Sequence, residues 1–189
     1  MDVKTNPMRH LEKLGIPYRV HTYGDVALSG TEVAETLGQD PSQVFKTLVT
    51  VGKPKCYYVF LVPVTGGLDL KKAAASVGEK SVSMIRQDEL LPLTGYVHGG
   101  CSPLCIRRPM RITIDSSAQG KDVIFFSAGR IGYQLEVSVK DLPGMMDFSF
   151  APISPAPMSC SHRDMMNSLL RTSGLRPSPY SLEMSSALT

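Results

Sequence analysis

Helical spacing of hydrophobic residues alternates with strand-like runs through most of the chain. Residues 7–14 place Met and Leu side chains on one helical face, between a capping Asn6 and a terminating Gly15. Ser29 with Glu32 three residues later is the pattern that begins a second helix. The N-terminal region is therefore predicted to contain two short helices.

Two strands are predicted at 47–51 and 56–64, because both runs are rich in β-branched or aromatic residues. The turn residues at 52–55 join them into a hairpin. The second run is apolar at both odd and even positions, which is typical of a central strand covered on both faces. Asp69 then caps a helix predicted over 70–77.

The remaining elements alternate in the same way. Further strands are predicted at 16–23, 81–84, 111–114, 123–126 and 133–137, with a short helix at 87–91. This order predicts an α/β class, with one domain in which short helices cover a mixed, mostly antiparallel central sheet.

A change in composition predicts the domain boundary. Residues 1–142 carry the periodic pattern, whereas 143–189 contain 10 Ser, 6 Pro and 6 Met. Such a segment supplies too few periodic apolar positions for a core, except for one possible helix at 165–170. We therefore predict one domain over 1–142 and a largely disordered tail over 143–189.

Composition and charge exclude several classes of protein. The chain is 42% hydrophobic and 20% charged with a net charge of +3, which is a globular balance that permits an anionic partner. The longest apolar run, about nine residues, is too short to span a membrane, and no secretory signal begins the sequence. We expect a cytoplasmic protein with four reduced cysteines.

Three segments carry candidate chemistry. Lys46 stands where a helical turn meets an apolar strand, so its ammonium group either reaches water or points into a cleft. The glycine-rich stretch 94–103 is either a plain tight turn or a loop whose backbone N–H groups approach a ligand. A third loop, 127–132, follows a predicted strand. The chain contains no phosphate-binding glycine motif of the dinucleotide or P-loop type.

A metal site is not predicted. His98, Cys101 and Cys105 have suggestive spacing but supply only three local ligands, one fewer than a structural zinc site needs. Cys101 is interpreted as a small buried hydrophobic residue rather than a catalytic thiol. No metal or cofactor is expected.

These segments, taken in order, resemble the YbaK type of freestanding Cys-tRNA(Pro) deacylase, which is related to the editing domain of bacterial prolyl-tRNA synthetases. The resemblance covers residues 4–142. It rests on Ile-Pro-Tyr at 16–18, His-Thr-Tyr at 21–23, Val-Phe-Lys-Thr-Leu at 44–48, Leu-Asp-Leu-Lys-Lys-Ala-Ala at 68–74, Thr-Gly-Tyr-Val-His-Gly-Gly at 94–100, Ser-Pro-Leu at 102–104 and Ser-Ala-Gly-Arg at 127–130.

The resemblance implies an enzyme that hydrolyses the ester of mischarged Cys-tRNA(Pro) without a protein nucleophile, because the substrate thiol attacks its own carbonyl carbon. It implies that the acceptor end of tRNA(Pro) is the partner, with prolyl-tRNA synthetase as a possible second one. The catalytic candidates are Lys46, Gly99 and Gly100, with the two glycine N–H groups facing the oxyanion. The substrate-binding candidates are Tyr23, Cys101, Ser102, Pro103, Ser127 and Gly129.

Alternatives remain open at this point. One alternative is an enzyme that clears alanine or another small residue from tRNA(Pro), which requires an activated water. Another is an adaptor that binds aminoacyl-tRNA or a synthetase without catalysis. Cys101 stands where the family commonly has an aliphatic residue, so a changed pocket wall bears on the choice of amino acid. The basic cluster of Arg107, Arg108 and Arg111 either faces solvent or contacts the tRNA backbone.

Overall fold

The computed structural model describes residues 3–53 and 55–155 of the 189-residue chain. The described helices are α1 (Asn6–Leu14), α2 (Gly30–Thr36), α3 (Leu70–Val77), α4 (Gln87–Thr94) and α5 (Leu142–Met145). The described strands are β1 (Arg19–Thr22), β2 (Phe45–Val51), β3 (Tyr57–Pro63), β4 (Ser83–Met84), β5 (Arg111–Asp115), β6 (Val123–Ser127), β7 (Tyr133–Ser138) and β8 (Phe148–Ala151). Single 3-10 turns span Pro41–Gln43, Ser116–Ala118 and Val139–Asp141. The predicted mixed α/β class is confirmed.

The described strands form two sheets, where a single central sheet was expected. One sheet is antiparallel with the order β1-β7-β6, and the other has the order β4-β2-β3-β5-β8. In the second sheet β2 pairs antiparallel with β3, as the hairpin prediction required, and β3 then pairs parallel with β5. Val59 to Pro63 of β3 are all buried, so the expectation of a strand covered on both faces is confirmed.

The helix ends follow the capping residues of the sequence with one correction. The cap of α1 is Thr5 rather than the predicted Asn6, because the Thr5 hydroxyl accepts the N–H of Met8. Gly15 ends this helix in the left-handed conformation with φ 69°, which a glycine adopts without strain. The predicted cap of α2 at Ser29 is present, with Glu32 completing the reciprocal pair of hydrogen bonds.

The folded unit continues past the predicted boundary at Leu142. Strand β8 adds to the sheet edge by parallel pairing with β5, and Ile153 beyond it is fully buried. The chain divides into two compact units, Met1–Pro155 and Ala156–Thr189. The second unit, with the helix predicted at 165–170 and Cys160, lies outside the described residues.

The two sheets meet where β2 approaches β6. Val44, at the start of β2, forms an isolated parallel bridge with Phe125 of β6. The largest core cluster draws Phe45 and Val49 from one sheet and Ile124 and Leu135 from the other. Because this contact packs the two sheets together, the N-terminal end of β2 lies beside the C-terminal end of β6.

Three cysteines in the described residues carry free thiols. Cys101 is buried, whereas Cys56 and Cys105 are exposed. Among the described residues, no helix combines the length and the hydropathy that a membrane crossing requires.

Asp115 anchors the chain that follows β8. Its carboxylate accepts the N–H groups of Ser117, Ile153 and Ser154 at 3.0, 3.0 and 2.8 Å. Burial raises the pKa of Asp115, but hydrogen bonds from Ser117 and Ser154 outweigh burial and hold the pKa below its ordinary 3.8. The ionised carboxylate therefore stabilises the fold above about pH 4, and this contribution is lost as the pH falls further.

We predict that Asp115→Asn lowers the free energy of unfolding by about 1–3 kcal/mol at pH 7. The NH2 group of asparagine cannot accept a hydrogen bond, so at least one backbone N–H group loses its acceptor. Urea denaturation followed by circular dichroism measures the change. Asp122→Asn, at an exposed position, is the control and should stay within about 0.5 kcal/mol of wild type. Near pH 3 the difference at position 115 should shrink, and a difference independent of pH would contradict this role of the carboxylate.

Candidate active site

A cavity of about 620 Å³ opens where the N-terminal half of β2 meets the smaller sheet. Residues 44–49 form one wall, residues 28–31 at the start of α2 form a second, and residues 84–87 before and in α4 form a third. The remaining lining residues that the site uses are Tyr23, His98, Gly99, Cys101, Ser127 at the end of β6, and Tyr133 and Gln134 at the start of β7. Its size is that of a small-molecule or nucleotide site.

Lys46 lies in this cavity with its side chain half-buried. Among the described residues, no carboxylate lies within 4.0 Å of its ammonium group, and the group makes no hydrogen bond. Burial lowers its pKa from the ordinary value of 10.5. A half-buried cation with no counter-ion in the described part of the chain favours an anionic ligand.

The rest of the cavity strengthens this preference. Arg86 and His98 also line it, whereas no Asp or Glu of the described chain does. Arg86 is mostly exposed and forms a 2.7 Å ion pair with Asp88. Because an exposed ion pair contributes little free energy, Arg86 can exchange Asp88 for an anionic ligand at little cost. The described cavity therefore carries positive charge only.

The glycine-rich segment reaches the cavity through Gly99, but not through Gly100. The N–H of Gly100 is already donated to the carbonyl of Val97 at 3.0 Å, and a Cβ there would lie 3.1 Å from the backbone nitrogen of Ile131. This bond engages the Gly100 N–H inside the turn, which weighs against its predicted oxyanion role. The N–H groups of Gly99 and Cys101 have no partner among the described residues.

Cys101 forms part of the cavity wall and is 8% exposed. Burial raises the pKa of its thiol to about 12, and a weaker hydrogen bond from Thr94 does not offset this effect. The thiol is thus protonated at neutral pH and is a poor nucleophile. The described residues also contain no group of three His, Cys, Asp or Glu side chains arranged to hold a metal ion.

Three predicted substrate-binding residues do not line the cavity. The buried Ser102 hydroxyl accepts the N–H of Leu104, and Pro103 is buried beside it. A Cβ on Gly129 would come within 2.8 Å of the Tyr96 ring, so glycine permits close packing there. Ser102, Pro103 and Gly129 shape the two loops rather than the lining, whereas Tyr23, Lys46, Gly99, Cys101 and Ser127 line it.

Ser127 has a polar neighbour that the sequence did not identify. It stands directly opposite Gln134 in the antiparallel pairing of β6 with β7, so both side chains belong to one face of the sheet. Gln134 lines the cavity although it is only 3% exposed, and its Oε1 accepts the Gln39 amide at 2.7 Å. The only signal in the sequence was that Gln134 is a polar residue within a strand whose neighbouring positions are partly apolar.

An aromatic residue was also missed. Tyr133 lines the cavity together with Tyr23, and the guanidinium of Arg130 lies 5.4 Å from the centre of its ring. The N–H of Tyr23 bonds to the carbonyl of Gly132, which brings the two tyrosines onto adjacent segments. Aromatic rings beside cationic groups suit a nucleotide.

Comparison with known proteins agrees with this geometry. The family model of the aminoacyl-tRNA editing domain matches residues 25–144. An Enterococcus faecalis protein named "Putative Cys-tRNA(Pro)/Cys-tRNA(Cys) deacylase EbsC" is 37% identical over 153 residues, which cover 80% of this chain and 93% of that protein. The Bacillus subtilis protein YwhH is 25% identical over 122 residues, covering 65% of this chain and 75% of YwhH.

Solved structures share the fold. A crystal structure described as "a putative trans-editing enzyme for prolyl tRNA synthetase" superposes with a TM-score of 0.72 at 25% identity, covering 82% of this chain and 100% of that one. The family model spans more than half of the chain, and the identity to the Enterococcus protein extends over most of both proteins. The chain therefore belongs to the aminoacyl-tRNA editing domain family and is an aminoacyl-tRNA hydrolase, as the sequence resemblance predicted.

Proposed function

We propose that this chain is a trans-editing enzyme that removes cysteine from the 3′ end of mischarged tRNA(Pro). The name of the Enterococcus relative and that of the prolyl-tRNA synthetase trans-editing structure support this choice of cargo and tRNA. The observation that carries the proposal is Lys46, a half-buried cation that has no counter-ion among the described residues, in a cavity that Gly99 and Ser127 also line. The terminal phosphate of the acceptor end supplies the missing anion.

The described residues contain no pairing of a nucleophile with a base. Neither His10 nor His21 contacts a hydroxyl or thiol group, since their ring nitrogens meet a backbone carbonyl and a carboxylate. Cys101 is held as a thiol, and the hydroxyl of Ser127 only accepts the N–H of Gly129. Attack by a protein side chain therefore lacks the activation that serine or cysteine hydrolases require.

The substrate itself supplies the nucleophile in our proposal. The cysteine sulfur forms a bond to its own carbonyl carbon, the ester bond to the ribose oxygen breaks, and the thiol proton ends on that oxygen. The product is a free tRNA terminus and a cysteine thiolactone, which water then opens. Holding sulfur and carbonyl in contact contributes several kcal/mol, about 7–11 in favourable intramolecular cases.

Positioning is then the task of the protein. Lys46 binds the terminal phosphate or ribose, and the free N–H groups of Gly99 and Cys101 donate to the oxyanion that develops on the carbonyl. Ser127 and Tyr23 contact the acylated nucleoside from the other wall. Each role acts through geometry and charge, without covalent chemistry on the protein.

Removal of alanine is the second candidate, and the cavity does not favour it. Alanine has no thiol, so its ester needs a water molecule activated by a base. The described lining offers no carboxylate, and its one histidine, His98, is exposed and makes no side-chain hydrogen bond.

We extend the proposal to two sets of partners. Prolyl-tRNA synthetase is the partner that selects the tRNA, and the exposed side chains of Arg107, Arg108 and Arg111 contact the tRNA backbone.

We predict that tRNA(Pro) charged with cysteine is deacylated in a single-turnover assay, whereas alanine, proline and S-methylcysteine esters stay largely intact. S-methylcysteine is the matched control, because it keeps the size of the side chain and blocks only the thiol. Equal rates for cysteine and S-methylcysteine would indicate an activated water. Binding of every ester without hydrolysis would indicate a non-catalytic adaptor and contradict the proposal.

We further predict that Cys101→Ala keeps deacylation within about threefold of wild type, whereas loss of a true nucleophile costs several orders of magnitude. Cys105→Ala, at an exposed cysteine, is the matched control. Rates are compared per folded molecule, with circular dichroism as the measure of folding. A folded but inactive Cys101→Ala variant would assign the thiol a catalytic role and overturn the scheme of substrate attack.

A further inference from the structure

The cavity offers no counter-charge for the α-ammonium group of an aminoacyl ester. Its cationic lining residues are Lys46 and Arg86, and the remaining ionisable side chains in the described lining are His98, Tyr23, Tyr133 and Cys101. No carboxylate belongs to the described lining. A second cation placed there meets electrostatic repulsion from these groups.

The carboxylates on the neighbouring elements are already engaged. Glu32 accepts the N–H of Ser29 at 2.7 Å within the cap of α2, and Glu136 contacts the ring of His21 at 2.7 Å. On the third wall, Asp88 pairs with Arg86 and Glu89 accepts the Arg86 N–H at 2.9 Å. Asp25 and Glu35 are exposed and lie outside the lining.

Two buried polar groups of the described lining keep free hydrogen-bonding capacity, namely the Thr47 hydroxyl and the Gln134 amide, and only the amide is a fixed N–H donor. The Oε1 of Gln134 is occupied by the Gln39 amide, whereas its Nε2 has no partner among the described residues. Gln134 stands beside Ser127 on the same sheet face and lines the cavity. A free amide N–H group donates to a lone pair, which a neutral amine or an acyl carbonyl has and an ammonium group lacks.

We propose that the cavity receives the aminoacyl group with its α-nitrogen uncharged, and that RNA esters of N-acylated cysteine are therefore a further class of substrate. This inference rests on the proposed function for the RNA ester and the thiol. In the cavity, the Gln134 amide donates to the N-acyl carbonyl, and Lys46 keeps its role at the terminal phosphate. An α-ammonium group, by contrast, must lose its proton before it fits.

The reaction with an N-acylated substrate follows the same course. The cysteine sulfur bonds to the ester carbonyl carbon, the bond from that carbon to the ribose oxygen breaks, and the thiol proton ends on the ribose oxygen. The N-acyl group keeps all of its bonds. The first product is an N-acylcysteine thiolactone, which water opens to N-acylcysteine without an oxidant or a cofactor.

The experiment compares cysteinyl-tRNA(Pro) with N-acetylcysteinyl-tRNA(Pro), each with a free thiol, using the full chain at pH 6.5. The N-acetyl ester should be deacylated at least as fast as the free-amine ester, because the α-amino group, with an ordinary pKa of about 8, is charged at this pH. If only the cysteinyl ester is deacylated, this inference fails and the proposed function survives. If neither ester is deacylated, the proposed function fails as well.

Gln134→Glu adds the missing carboxylate with almost no change of shape. The variant should lower the ratio of the N-acetyl rate to the free-amine rate by about tenfold or more, because the new carboxylate attracts the α-ammonium group of the free-amine ester. Gln119→Glu, at an exposed position outside the cavity, is the matched control and should leave the ratio unchanged. An unchanged ratio in a folded Gln134→Glu protein contradicts the assignment of this residue.

The pH dependence of the wild-type ratio is an independent readout. The ratio cancels protein groups that titrate alike with either substrate. The thiol pKa of each ester is measured separately and used to correct its rate, because N-acetylation raises that pKa. The corrected ratio should fall as the pH rises from 6.5 to 8.5, because the free-amine ester loses its charge and becomes the equal of the N-acetyl ester. A ratio that stays constant over this range overturns the inference even if the Gln134→Glu protein does not fold.

Discussion

The ammonium group of Lys46 is held half-buried on β2 without a carboxylate nearby in the described chain. Burial of an unpaired cation costs free energy, and the lowered pKa of Lys46 is the measure of that cost. The cost persists because the hydrophobic residues before and after it, Phe45 and Val49, fix β2 in the core. A bound phosphate offsets this cost. The charge of Lys46 therefore favours an anionic ligand independently of any contact with a nucleobase or an amino-acid side chain.

The two-sheet arrangement explains how distant segments meet at this cation. The bridge from Val44 to Phe125 brings the start of β2 to β6, and the β6 strand then ends at Ser127 in the cavity. Loop 98–101 reaches the same place because Gly100 packs against the backbone of Ile131 with no room for a side chain. The site is therefore a product of sheet packing and of two loops in contact.

Local sequence patterns predicted most of the helices and strands. They could not predict the contacts between residues that are distant in the sequence. Capping residues and strand periodicity located the hairpin and α3, but the separation of the strands into two sheets depends on pairing partners that periodicity does not encode. Lys46 and Ser127 were found through motifs. Gln134 was missed because a single polar residue in a strand is common. The bond from the Gly100 N–H to the Val97 carbonyl depends on the conformation of the turn, which the glycine-rich sequence does not specify.

The central claim is that the unpaired charge of Lys46 binds the terminal nucleotide. The most direct test is the affinity of a cysteinyl RNA hairpin with a non-hydrolysable amide link, measured by calorimetry over a series of salt concentrations. Lys46→Met keeps the hydrophobic stem and removes the charge, and the exposed Lys140→Met is its control. We predict at least about tenfold weaker binding for Lys46→Met, with a salt slope shallower by about 0.7, the value of one phosphate contact to single-stranded RNA. Wild-type affinity and slope in that variant would contradict the account.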